Sequence, residues 1–167
     1  MSRRNSTAAP PGDALDEWDQ RFIHLALHIG SWSKDRSRKI GCVIVDENRG
    51  VRAIGYNGFP RGARDDASER HERPAKYLWT EHAERNAIYQ AARMGVPLER
   101  CTMYLPWFPC MDCARAIVQA GIVRLVAVRP DVADAQWGSQ FVSAMELLSE
   151  LKVSITWIDS LKAPVKV

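Results

Sequence analysis

Two short segments of the sequence carry the side chains that could do chemistry. One is HAE, at His82 to Glu84, and the other is PCMDC, which contains Cys110 and Cys113. Two thiolates three residues apart in the first turn of a helix can bind one metal ion together with an imidazole, and zinc accepts this donor set. Three protein ligands leave the fourth tetrahedral position to water, whose pKa zinc lowers from about 16 toward about 7. The pattern predicts hydrolysis by an activated water.

Glu84 lies two residues beyond the histidine and supplies the second requirement of such a site. A carboxylate there can take a proton from the water, pass it to a ring nitrogen and later protonate departing ammonia. H-x-E followed by P-C-x-x-C is the signature of zinc-dependent nucleobase deaminases. Either segment alone is weak evidence, since CxxC also occurs in redox proteins. Their joint occurrence predicts zinc held by His82, Cys110 and Cys113, with Glu84 as proton shuttle.

The composition limits the classes of protein that the chain can belong to. Its 167 residues are enough for one domain, predicted over 14–167 after a disordered leader at 1–13. No apolar stretch approaches the roughly 18 residues of a membrane span, so no membrane contact is expected. The leader lacks the apolar core of a secretion signal, and the four cysteines then indicate a reducing, cytoplasmic setting. A net charge of +3 suits an anionic small molecule better than nucleic acid.

Hydrophobic periodicity predicts the elements that must hold the two segments in place. A strand hairpin comes first, and strands then alternate with helices, which predicts one mixed sheet with helices on both faces. Residues 57–79 form a long irregular stretch rich in charge. Helices are predicted over 16–32, 81–95, 110–120 and 136–150, and strands over 40–45, 51–56, 101–107, 124–128 and 153–158.

Three longer stretches extend the two chemical segments: WSKDRSRKIGCVIVDENRGVRAIGYNGFPRGARDD, KYLWTEHAERNAI and LPWFPCMDCARAIVQAGI. Together they resemble the deoxycytidylate deaminase family, a branch of the cytidine deaminase superfamily, over roughly residues 18–128. The resemblance implies a three-layer α/β/α fold with a mixed five-stranded sheet whose strands three to five are parallel. It also implies hydrolysis of deoxycytidylate (dCMP) to deoxyuridylate (dUMP) and ammonia, with Zn²⁺ as cofactor. A homo-oligomer, hexamer or dimer, and control by deoxynucleoside triphosphates are further implications.

The same resemblance suggests residues that contact the substrate. Asn57, in GYNG, would hold the sugar and base, although Asn-Gly is also a common turn dipeptide. The backbone N–H of Ala83 could bind the ring carbonyl. Trp107 could stack on the base or simply pack in the core. Arg61 and Lys76 are candidates for the phosphate, the alternative being a solvated loop with balanced charge.

Other functions remain open on the residues alone. A deaminase of free cytosine, a nucleoside or a modified ring would need no phosphate contacts. A deaminase of transfer RNA would need a basic docking surface, which the small net charge disfavours. A binding module with a purely structural zinc would need a fourth ligand in place of the free carboxylate of Glu84.

Overall fold

The computed structural model describes residues 15–159. The leader expected at 1–13 lies outside the described residues, and the domain expected over 14–167 is described from residue 15 to residue 159. Among the described residues, none of the helices combines the length and apolar character needed to cross a lipid bilayer.

Helices and strands follow the predicted order, with each boundary within a few residues of its expected position. The exception is the stretch predicted as irregular, which contains a 3₁₀ turn at Ser68–Arg70 and a short helix at Lys76–Trp79. The elements are α1 (Glu17–Gly30), β1 (Gly41–Val45), β2 (Val51–Tyr56), α2 (Lys76–Trp79), α3 (Ala83–Met94), β3 (Thr102–Leu105), α4 (Met111–Gln119), β4 (Arg124–Val128), α5 (Gly138–Glu150) and β5 (Ser154–Ile158).

The five strands form one mixed sheet in the order β2-β1-β3-β4-β5. Strand β1 is antiparallel to both β2 and β3, whereas β3, β4 and β5 are parallel to one another. A hairpin needs only the short turn after Val45, while each parallel pair needs a helical crossover, which α4 and α5 provide. The predicted mixed five-stranded sheet is confirmed.

Helices cover both faces of the sheet, which makes the three-layer α/β/α fold. All five residues of β1 are buried, as expected for a central strand covered on both sides. On one face, Phe22 and Ala26 of α1 pack with Val43 of β1. On the other face, α3, α4 and α5 pack over Cys42 and its neighbours. Cys42 is an ordinary apolar member of this core, as the sequence suggested.

Helix α3 lies directly on the backbone of β2 because Gly55 has no side chain. A carbon added at Gly55 would be 2.4 Å from the carbonyl oxygen of Ala83 and 2.5 Å from the backbone nitrogen of Ala87. Glycine within a strand often marks such a close approach of another backbone. The first turn of α3, which carries the HAE segment, is thereby seated on the sheet.

A buried ion pair joins α1 to the sheet on the face opposite α3. Asp19 accepts hydrogen bonds from both terminal nitrogens of Arg124, at 2.8 and 2.7 Å, and from the hydroxyl of Tyr104 at 2.9 Å. Burial alone would raise the pKa of Asp19, but the hydrogen bonds and charge of Arg124 outweigh it, and the pKa is lowered. The carboxylate therefore stays ionised inside the core.

Candidate active site

The candidate site lies at one edge of the sheet, where β3 and β4 end. Because β1 is antiparallel to β3, its first residue reaches this edge, and the end of β2 lies beside it, with Gly41 paired to Tyr56. In open sheets with parallel strands, ligands bind outside the carboxyl ends of those strands. The segments before β1, after β2, after β3 and after β4 therefore converge on one place.

His82, Cys110 and Cys113 come together here from the starts of two helices. His82 is the residue just before α3, Cys110 the one just before α4, and Cys113 lies in the first turn of α4. The Nδ1 atom of His82 is 3.4 Å from the sulfur of Cys110 and 3.5 Å from that of Cys113. Tetrahedral zinc, with Zn–S near 2.3 Å and Zn–N near 2.1 Å, separates nitrogen and sulfur by about 3.6 Å. The three side chains fit that ion.

In the part of the chain that the structure describes, no fourth protein ligand joins this group. Within residues 15–159, these three side chains form the only set of three or more histidine, cysteine or acidic residues whose ligand atoms lie close enough to share an ion. Three ligands with an open fourth position are typical of a catalytic zinc site, whereas a structural site is closed by four.

The electrostatics of the cluster favour the ligand form of the cysteine. A hydrogen bond from Cys113, helped by His82, lowers the pKa of Cys110 to about 4 despite its burial. Burial opposes charge on His82, but its contact with Cys110 and the nearby Glu84 raise the pKa of His82 to about 9. Cys110 is therefore a thiolate at neutral pH, the form that binds metal.

Glu84 lies in the first turn of α3 with only 5% of its surface exposed. Burial raises the pKa of its carboxyl group, and the nearby charge of Cys110 raises it further, against the opposing effect of His82. A raised pKa makes a carboxyl group better suited to accept and then release a proton during a reaction.

His82 and Cys110 of the cluster line one cavity together with Glu84, and its volume of about 340 Å³ is in the range of small-molecule sites. His82, Ala83, Glu84 and Cys110 lie together in its lining. The ring of Trp137 meets that of His82 edge-on, with centroids 5.7 Å apart. The remaining wall combines charged and polar side chains with five aromatic ones, which are Tyr77, Trp107, Phe108, Trp137 and Phe141.

Four of the five predicted substrate residues line this cavity: Asn57, Lys76, Ala83 and Trp107. The side chain of Asn57 is already engaged by the segment before β1. Its Nδ2 donates to the carbonyl oxygen of Arg38 at 2.8 Å, and its Oδ1 accepts from the backbone N–H of Ile40 at 2.8 Å. Asn57 is therefore more than a turn residue, since it fixes one rim of the cavity.

The two residues predicted to bind a phosphate have different positions. Arg61 is exposed in a turn after Pro60 and is absent from the cavity lining, contrary to expectation, because the chain turns outward there. Lys76 does line the cavity, but its Nζ is 2.9 and 3.0 Å from the two carboxylate oxygens of Asp35. Its charge is already neutralised.

Several cavity residues were missed in the sequence: Arg38, Arg73, Tyr77, Asp134 and Trp137. The order of the strands in the sheet could have indicated some of them. Asp134 and Trp137 follow the carboxyl end of β4, and Arg38 precedes β1, so the strand order brings all three to the site edge. Arg73 and Tyr77 lie in the long connection, where no periodic pattern indicates position.

Comparisons with known proteins agree with this geometry. The family model described as "Cytidine and deoxycytidylate deaminase zinc-binding region" matches residues 16–129. An uncharacterized deaminase from the luxG 3′ region of Aliivibrio fischeri is 39% identical, covering 86% of this chain and 95% of that protein. Deoxycytidylate deaminase of Mus musculus is 34% identical, covering 81% of this chain and 75% of that protein.

A solved structure has the same fold. The dCMP deaminase of cyanophage S-TIM5, in complex with dCMP and dUMP, has a TM-score of 0.67 and 21% identity, covering 87% of this chain and 99% of that one. The three-ligand cluster also lies inside the matched zinc-binding region. The chain thus belongs to the cytidine and deoxycytidylate deaminase family, and it is a deaminase with Zn²⁺ as its cofactor.

Proposed function

We propose that this protein removes the exocyclic amine of dCMP by hydrolysis and releases dUMP and ammonia. The observation that carries the proposal is the buried carboxyl group of Glu84 in the same cavity as a three-ligand metal cluster. The relatives named deoxycytidylate deaminase, at 34–35% identity in mouse and human, support the choice of substrate.

In this proposal His82, Cys110 and Cys113 hold the zinc ion. Bound there, zinc would supply the Lewis acidity that makes water a nucleophile at neutral pH. The first turns of α3 and α4 favour the negative charge of the two sulfur ligands, because helix N-termini carry partial positive charge.

Glu84 moves the protons. Its carboxylate accepts one from the attacking water, and the resulting carboxyl group donates it to the ring nitrogen beside the carbon under attack. Glu84 then takes the second proton of the water and gives it to the amine, so that the carbon–nitrogen bond breaks and ammonia leaves. Its burial keeps bulk water from competing for these protons.

Other cavity residues would hold the flat ring in place. The first N–H groups of a helix have no partner within the helix, so the N–H of Ala83 is available to the ring carbonyl. Trp107 and Phe141 offer aromatic surface to the base. Asn57 contributes by fixing the rim that carries Arg38.

We also propose that the protein is a homo-oligomer, a dimer or hexamer, in the cytoplasm. Exposed apolar side chains support association, among them Leu78 at 88% and Met94 at 67% exposure. All four cysteines are free, which suits a reducing compartment. Light scattering coupled to gel filtration tests the first point, because a monomer at micromolar concentration would contradict it.

A substrate panel tests the proposed reaction. Zinc-loaded protein is incubated with dCMP, deoxycytidine, cytosine, 5-methyl-dCMP and a transfer RNA anticodon stem, and released ammonia is measured. We expect dCMP to have the highest kcat/KM. Equal rates on dCMP and deoxycytidine would replace the nucleotide assignment with a nucleoside one, and turnover of the RNA alone would replace both.

A further inference from the structure

The charged groups that line the cavity divide into those already paired and those still available. Three cationic side chains line it: Arg38, Arg73 and Lys76. Lys76 is bound to Asp35, and the two side chains are only 11% and 6% exposed. That pair is buried and satisfied, so it offers little to a ligand. The two arginines remain.

Arg73 is exposed on the connection that precedes α2. In the described part of the chain, no carboxylate lies within 4.0 Å of its guanidinium group. Among residues 15–159, its guanidinium group contacts the ring of Tyr77 alone, with the guanidinium carbon 6.0 Å from the ring centroid. All its N–H donors are therefore available to an anion in the cavity.

Arg38 approaches from the segment before β1 and is held more firmly. Its guanidinium carbon lies 3.6 Å from the ring centroid of Trp107, so the planar group is stacked on that ring. Its backbone N–H donates to Asp35 at 3.0 Å, and its carbonyl oxygen accepts from Asn57 at 2.8 Å. Stacking leaves the edge of the guanidinium group free to donate hydrogen bonds.

Asp134 is the remaining acidic group that could compete for these arginines. Its Oδ1 accepts the backbone N–H groups of Gln136 and Trp137, each at 2.8 Å, just before α5 begins. Among the described residues it forms no ion pair with either arginine. Asp134 is thus engaged by the main chain, and the arginines keep their positive charge.

We infer that Arg38 and Arg73 together bind the 5′-phosphate of the substrate and thereby select a nucleotide over a nucleoside. This inference rests on the proposed dCMP deamination and identifies the residues that read the phosphate. Arginine suits this role, because its planar fork donates two parallel hydrogen bonds to phosphate oxygens. Arg73 carries the larger share, since the guanidinium group of Arg38 is already in contact with the ring of Trp107.

The test compares dCMP with deoxycytidine in matched variants. Arg73→Met and Arg38→Met keep the aliphatic stem and remove the charge, and Arg93→Met provides a control on an exposed residue of α3 outside the cavity. Charge-assisted hydrogen bonds to phosphate predict a loss of about 10- to 100-fold in kcat/KM for dCMP, mainly through KM. Activity on deoxycytidine, which has no phosphate, should fall less than activity on dCMP, and Arg93→Met should match the wild type.

A binding measurement separates phosphate recognition from turnover. Calorimetry with dUMP and deoxyuridine should show that wild-type protein prefers the nucleotide and that the double variant binds both alike. Arg73→Lys should restore part of the preference, because it returns the charge without the fork. Raised salt should weaken dUMP binding more in wild type than in the double variant.

The two proposals fail in different ways. Wild-type protein that turns over deoxycytidine as fast as dCMP would overturn the proposed substrate. A strong wild-type preference for dCMP that survives in the double variant would leave the reaction intact and overturn the arginine assignment. Loss of the preference in Arg61→Met instead would move the phosphate to the exposed turn after Pro60.

Discussion

Two buried carboxylic acids, one on each face of the sheet, show opposite behaviour. Asp19 is 2% exposed and Glu84 is 5% exposed. Arg124 is bound to Asp19, whose pKa is lowered, whereas no arginine or lysine in the described part of the chain is paired with Glu84, whose pKa is raised. Burial opposes the charged form of both acids, and the hydrogen bonds and charge of Arg124 overcome it at Asp19. A paired acid serves the fold, and an unpaired one beside a metal cluster serves proton transfer.

The largest effect should come from removing the unpaired acid. Glu84→Gln keeps the size of the side chain and abolishes proton transfer, so kcat should fall about 10³- to 10⁴-fold. Zinc content and melting temperature should be unchanged or higher, since a buried ionisable group has been replaced by a neutral one. Steady-state ammonia release and elemental analysis measure both. Glu146→Gln, on the exposed side of α5, serves as control, and near-normal turnover by Glu84→Gln would remove the proton-shuttle role.

Glu84 can act as a proton shuttle only if it is not itself a zinc ligand. With three ligands, Cys110→Ser should weaken zinc binding about 100-fold or more, because serine is a poor zinc donor. Competition with a chelator of known affinity gives the ratio. Cys101→Ser changes a buried thiol outside the cluster and should retain zinc. Unaltered zinc affinity in Cys110→Ser would mean that another group holds the ion.

A paired acid inside the cavity wall should behave like Asp19 and not like Glu84. Lys76→Met leaves Asp35 buried with two backbone N–H donors, from Ser37 and Arg38, and without its ammonium partner. We expect a loss of about 3 kcal/mol in the free energy of unfolding. Adding Asp35→Asn should recover part of that loss, because no unpaired charge then remains. Denaturant titration measures both, and additive losses would show that the two groups act independently.

The paired acid on the opposite face should matter for stability alone. Asp19→Asn keeps the shape and removes the charge that Arg124 neutralises, so we expect a loss of about 2 kcal/mol, reduced because Arg124 is partly exposed. The kcat of the folded variant should stay within about 2-fold of wild type. A large fall in kcat with little loss of stability would reverse the roles assigned to the two acids.

The smallest effect is a dependence on pH. The pKa of Asp19 in the folded protein lies below its unfolded value of about 4. Its contribution to the free energy of unfolding is therefore fully present above pH 4 and is lost as the pH falls through the folded pKa. The stability gap between wild type and Asp19→Asn should therefore shrink as the pH is lowered from 7 to 3. Any effect of zinc release cancels in this difference. A gap that widens in acid would show that the folded pKa of Asp19 is raised.

The residues of the metal cluster could be predicted from the sequence because their positions at the starts of two helices are set by secondary structure. A histidine just before one helix and two cysteines around the start of another have few possible positions once the strands between them are known. Lys76 and Arg61 were harder, since both lie in the connection from 57 to 79. There, a turn sends Arg61 outward and an ion pair engages Lys76. Asp35, the partner of Lys76, is distant in the sequence, and such a pairing leaves no local pattern. The contacts at the cavity rim therefore became visible only in the three-dimensional structure.

Gly55 makes catalytic alignment depend on a residue that never meets the substrate. Even one methyl group on that strand would force the neighbouring helix to lift or slide, and its first turn carries both the imidazole and the shuttle acid. Displacements near 1 Å at reacting groups can cost about 100-fold in rate. A side chain at position 55 would displace His82 and Glu84 together, whereas residues at the cavity rim can change without moving that helix.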